Sequence, residues 1–136
     1  MTPEARRRVF VSRRISEEGL ARIAAQTDAD IWPEDFPAPR GELLRRVAGM
    51  DGLLSMVTER IDDELLAAAG RRLKVVSTFA VGFDNIDIAA CTRRGVAVGN
   101  TPGVLTETTA DAAFALLMAA ARRLAEGYDY VRQDRW

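Results

Sequence analysis

Two short segments of the 136-residue chain hold the residue types from which a small-anion site can be built. The first is Ser77-Thr78-Phe79-Ala80-Val81-Gly82-Phe83-Asp84-Asn85-Ile86-Asp87, where small residues surround a glycine directly after an apolar run. Small residues there let successive backbone N–H groups converge on an anion as a nest. Asp84 or Asn85 would cap the following helix, whose positive end adds to the same field. The same residues also fit a plain strand-to-helix turn with Asx capping. The second segment is Asn100-Thr101-Pro102-Gly103-Val104-Leu105-Thr106-Glu107-Thr108-Thr109-Ala110-Asp111, with Thr106 and Glu107 favourable at a helix start. Its simplest reading is a capped helix.

Much chemistry is excluded. The chain has no histidine and one cysteine. A base titrating near neutrality would have to be a shifted carboxylate, Cys or Lys, and Ser-His-Asp or Cys-His catalysis within this chain is ruled out. Gly95, Gly99 and Gly103 are spaced four apart, not as G-x-G-x-x-G, and Ser12-Arg13-Arg14-Ile15-Ser16 after the first apolar run has no glycine to approach a pyrophosphate. A phospho-acceptor domain is excluded too, because Asp51 precedes the third strand and Thr58-Glu59 follow it. A net charge of −1, from 19 basic and 20 acidic residues, argues against a nucleic-acid partner. The lone Cys91 cannot pair internally and fits a reducing, cytoplasmic setting. No apolar run is long enough for a membrane span, and Val9-Phe10-Val11 is too short for a signal-peptide core.

Positioning these segments requires a scaffold. Short apolar runs at 9–12, 29–32, 53–57, 73–77 and 96–98 read as strands. Helix-period segments run from Ser16, over 41–49, 62–70 and 86–94, and from Thr106 to about Val131 as one long helix. Strands with little polar alternation, separated by helices, imply a parallel sheet covered on both faces. The expected fold is therefore a flavodoxin-like three-layer α/β domain with a five-stranded parallel sheet, plus the long C-terminal helix. A chain of this size buries about 68% of its unfolded surface, enough for one core. The last helix is small and apolar on all sides from Ala110 to Ala121, which calls for a covering partner surface.

The stretches Val76 to Asp87, Arg94 to Asp111 and Ala120-Ala121-Arg122-Arg123 closely resemble the NAD(P)-dependent D-2-hydroxyacid dehydrogenases, particularly the glyoxylate/hydroxypyruvate reductase branch. Residues 9–72 fit less specifically, best at Ser55 to Asp62. The resemblance implies a 2-oxo acid substrate whose carboxylate is held by main-chain amides at Ala80, Val81 and Gly82. It also implies Val57 as an apolar wall of the substrate pocket, Val81 and Thr109 as contacts to NAD or NADP, and homodimer contacts through the Thr106–Val131 region. The family's glycine fingerprint and its catalytic Arg, Glu and His have no counterpart among these residues.

Residues 1–103 are accordingly expected to form a substrate-binding domain, and 104–136 a hinge and interdomain helix leading to a Rossmann domain outside this sequence. The chain is expected to be an N-terminal portion, inactive alone. Two alternatives stand beside this. One is a stand-alone flavodoxin-like module that binds a small carboxylate or a partner protein; the other has a separate chain supplying the Rossmann half.

Overall fold

The computed structural model describes residues 6–135. Its first unit ends at Thr101 and is built on five parallel strands, β1 (Arg7–Val11), β2 (Thr27–Ile31), β3 (Gly52–Ser55), β4 (Val75–Thr78) and β5 (Ala97–Gly99), in the order β2-β1-β3-β4-β5. All pairings are parallel, as expected from the alternation of strands and helices. The register aligns Phe10, Leu53, Val76 and Val98 across the sheet. That row meets α2 (Arg40–Val47), α3 (Asp63–Ala69) and α4 (Ile88–Arg93) through Leu43, Val47, Leu65, Leu66, Ala69, Ala90 and Cys91. This is the hydrophobic core. On the opposite face, α1 (Glu17–Gln26) and the strands flank a groove of about 360 Å³ lined by Ile23, Val9, Leu54 and Val75.

Local chemistry sets the element ends. The Ser16 hydroxyl accepts from the Gly19 N–H at 3.3 Å and starts α1. The Asp62 carboxylate accepts from the Leu65 N–H at 3.1 Å, and Gly70, at φ +77°, closes α3 in the left-handed region that favours glycine. Burial pushes the Asp62 carboxyl up, but the Leu65 N–H and the Arg40 guanidinium outweigh it and hold its pKa below the ordinary value. At the N-terminal edge of the sheet Asp51 is likewise held low, chiefly by the Arg8 N–H at 2.9 Å and then by Arg72.

The second unit, from Pro102 onward, departs from expectation. The single helix expected from Thr106 to about Val131 is two, α5 (Thr106–Ala121) and α6 (Leu124–Arg132). At the break the Arg123 N–H reaches back to the Ala120 carbonyl at 3.1 Å, tightening the last turn. Arg123 sits at φ 52°, and its guanidinium pairs with Glu126 in the first turn of α6. No glycine or proline marks the place, so the composition does not announce this left-handed backbone. No residue of α5 or α6 is buried. Among the described residues no helix is long and apolar enough to cross a membrane.

Candidate functional site

In an open parallel sheet of this order the topology reverses between β1 and β3, and ligands bind outside the carboxyl ends of the strands. Here the sequence changes character at that edge. Two residues beyond the Phe10–Leu53–Val76 row, on the same face, stand Ser12, Ser55 and Thr78, each no more than 2% exposed. Above them Glu59 is also buried. One carboxylate oxygen of Glu59 accepts from the Ser12 hydroxyl at 2.8 Å and from the Met56 N–H; the other accepts from the Thr58 hydroxyl at 2.7 Å. Arg13 donates to the Thr58 hydroxyl at 2.9 Å and lies 3.6 Å from the Glu59 carboxylate. A buried acid with this many donors fixes the loops after β1 and β3 to each other.

Similar links run along the whole strand-end edge. The Asn85 amide donates to the carbonyls of Met56 at 3.1 Å and Glu59 at 2.7 Å, tying the loop after β4 to the turn after β3. The Asn100 amide donates to the Val81 carbonyl at 2.8 Å, and the Thr101 N–H donates to the Ala80 carbonyl at 2.9 Å. These tie the loop after β5 to the loop after β4.

The consequence for residues 80–82 follows from peptide geometry. The Phe79 N–H is taken by the Ser55 carbonyl at 2.8 Å, but beyond it the N–H groups of Ala80, Val81 and Gly82 have no acceptor among the described residues. Every peptide is trans, so the C=O and N–H of one unit point in opposite directions. With the Ala80 and Val81 carbonyls engaged by Thr101 and Asn100, the N–H groups of Val81 and Gly82 are turned away from that segment. Gly82 does not have a positive φ, and a Cβ placed on it would meet nothing within 4 Å. Two adjacent unpaired donors beside open space are suited to an anion with two oxygens.

The expected residues are distributed as follows. Ala80, Val81 and Gly82 share this loop, with Val81 37% exposed. Val57 lies in the turn after the adjacent strand β3 and is 58% exposed. Thr109 lies in α5, in the second unit. The expected cap is corrected: neither Asp84 nor Asn85 starts α4, because the Asp87 carboxylate accepts from the Ala90 N–H at 2.8 Å and Asn85 is occupied by the Met56 and Glu59 carbonyls. Sequence reasoning misses Ser12, Arg13 and Glu59 as residues of this edge. The available signal is a carboxylate at the carboxyl end of a central strand.

Burial, with some help from Asp87, pushes the Cys91 thiol up, so it stays protonated and inert in the core. Among the described residues no group of three potential metal ligands forms. The strand-end loops also lack a glycine-rich turn into a helix, so these residues do not fit a dinucleotide pyrophosphate.

The sequence model for the catalytic domain of D-isomer specific 2-hydroxyacid dehydrogenases matches residues 9–128. A glyoxylate reductase of Korarchaeum cryptofilum is 50% identical over 129 residues, covering 95% of this chain and 39% of its own length. A crystal structure of a Thermus thermophilus protein superposes with a TM-score of 0.88 at 42% identity, covering 95% of this chain and 41% of that one. An NADPH-dependent glyoxylate/hydroxypyruvate reductase of Sinorhizobium meliloti, in complex with NADP and malonate, has a TM-score of 0.74 at 28% identity, over 97% of this chain and 40% of the other. The chain thus spans about 39% of the length of the Korarchaeum relative. A matched stretch that takes in part of every strand of the sheet, the polar strand-end edge and the open amides of residues 80–82 leads to one conclusion: the chain belongs to the D-isomer specific 2-hydroxyacid dehydrogenase family.

Proposed function

We propose that the chain forms the 2-oxo acid-binding part of an NAD(P)-dependent reductase acting on glyoxylate or hydroxypyruvate. The observation that carries this is the pair of unpaired N–H groups at Val81 and Gly82. They would hold the substrate carboxylate, with Ala80 alongside and Val57 as an apolar wall. The glyoxylate reductase relative and the malonate-bound Sinorhizobium enzyme support the choice of a small 2-oxo acid. Val81 and Thr109 would contact the nicotinamide nucleotide, whose pyrophosphate is held by residues other than these. The chain's own part is binding and orientation. Carbonyl reduction also needs a proton donor, and no side chain of Ala80, Val81 or Gly82 titrates.

A break between compact units at Thr101 and Pro102 supports assigning 1–103 to substrate binding and 104–136 to a hinge and interdomain helix. The raised, buried Cys91 thiol is compatible with a cytoplasmic setting. Titrating the ¹⁵N-labelled chain with oxalate is expected to shift the Val81 and Gly82 amide resonances at millimolar concentrations, with no NADH or NADPH oxidation when glyoxylate is added. Unshifted amides at 81 and 82 would remove the basis of the proposal. Measurable turnover by the 136-residue chain would overturn its restriction to binding.

The partner assigned to α5 is a second copy. Phe114, Leu117 and Met118, on one face of α5, are 65%, 62% and 46% exposed, and Leu116, on the other side, is 71% exposed; these are large apolar groups that water disfavours. Sedimentation equilibrium is expected to give a dimer that Leu116→Glu converts to monomer. A monomeric wild-type chain at 100-fold the protein concentration of the assay is the contrary result.

A further inference from the structure

We infer that Asn100 is a positioning residue that sets the direction of the anion-binding amides without touching the anion. The inference rests on the carboxylate-binding reading of residues 80–82. The peptide between Val81 and Gly82 has an unusual freedom. Glycine populates both signs of φ at little cost, so this unit can turn over by a paired change at Val81 ψ and Gly82 φ. In one orientation the Gly82 N–H faces the anion; in the other the Val81 carbonyl oxygen does, and repels it. Nothing on the far side of the peptide holds it, since the Gly82 N–H has no acceptor among the described residues. What selects the binding orientation is the Asn100 Nδ2–H, which donates to the Val81 carbonyl at 2.8 Å. The neighbouring peptide is fixed by backbone alone, through the Thr101 N–H on the Ala80 carbonyl at 2.9 Å. Asn100 is therefore the one side chain that chooses the sense of this unit, and it does so from the surface, where it adds little to the stability of the fold.

The test compares oxalate binding by the wild-type chain and by Asn100→Ala, with amide shifts at Val81 and Gly82 as the binding readout and thermal melting as the fold readout. Asn100→Ala is expected to weaken oxalate binding by roughly fivefold to tenfold, the worth of one hydrogen bond, while the melting temperature moves by no more than about 3 °C. The Val81 carbonyl ¹³C resonance is expected to move upfield on loss of its donor. Should Asn100→Ala fail to fold, Asn100→Leu keeps much of the shape, loses the donor without adding charge, and is expected to bind as weakly. Oxalate binding unchanged in the variant, with the Val81 and Gly82 amides still responding, overturns the role of Asn100 and leaves the carboxylate reading intact. A wild-type chain whose Val81 and Gly82 amides ignore oxalate overturns both.

Discussion

Gly82→Pro is expected to weaken oxalate binding by on the order of 100-fold, the largest effect of any single substitution in the loop after β4. Proline deletes the Gly82 N–H outright. It also restricts Val81 to extended backbone and so limits how the second amide can adjust. A hydrogen bond to a charged group contributes roughly 1.5–3 kcal/mol, or about 10- to 100-fold in binding, so losing one and constraining another reaches the upper end of that range. Gly82→Ala supplies the contrast. With no positive φ to satisfy and nothing within 4 Å of a new Cβ, alanine is expected to leave the melting temperature unchanged and keep the amide in place. The same oxalate titration distinguishes the two variants. Binding retained by Gly82→Pro would mean that the Gly82 amide is not a contact.

Glu59→Ala is expected to destabilise the chain by about 3 kcal/mol, measured as a lower urea midpoint at unchanged slope. The substitution strands three donors, the Ser12 and Thr58 hydroxyls and the Met56 N–H, and leaves Arg13 facing a void in place of its counter-charge. The Ser12 hydroxyl is buried and the Met56 N–H partly so, and water does not fully replace the lost acceptor. Glu59→Gln is expected to lose less, since it keeps one acceptor oxygen and the volume. The turn holding Val57 loses one of its two anchors with the Glu59 carboxylate, keeping the Asn85 bonds to main-chain carbonyls, and its amides are expected to exchange faster in Glu59→Ala than those of β3 itself. A change below about 0.5 kcal/mol would show that the network is incidental to the fold.

The parallel sheet could be read from short apolar runs such as those holding Phe10, Leu53 and Val76, separated by helix-period segments, although the face of the sheet away from that row is only partly covered, with Val75 40% exposed. Ser16, Asp62 and Gly70 could also be read, since a cap acts within three or four residues of its own position. What escaped was decided between distant segments. Asp84, Asn85 and Asp87 are all competent caps by type; the helix starts after Asp87, and Asn85 is claimed by the carbonyls of Met56 and Glu59, more than twenty residues away. The loop at 80–82 stood out by its small residues, yet the reason its amides are open lies in Asn100 and Thr101, on the next strand's loop. Glu59 looks like an ordinary surface acid beside Thr58. Only the meeting of β1 and β3 puts Ser12 against it. The break at Arg123 had no marker at all.

The change from the apolar row of Phe10, Leu53 and Val76 to the polar row of Ser12, Ser55 and Thr78 divides the domain into two parts held by forces with different thermal behaviour. Burial of the lower row is driven largely by the entropy of water near room temperature and weakens on cooling. In the upper row Ser12 is joined to the Glu59 carboxylate and Ser55 to the Ser77 carbonyl by hydrogen bonds, which do not depend on that entropy, while the buried Thr78 hydroxyl has no partner among the described residues. The rim stands on the same three strands as the core, so in the cold its hydrogen bonds hold only as long as the apolar row beneath them does.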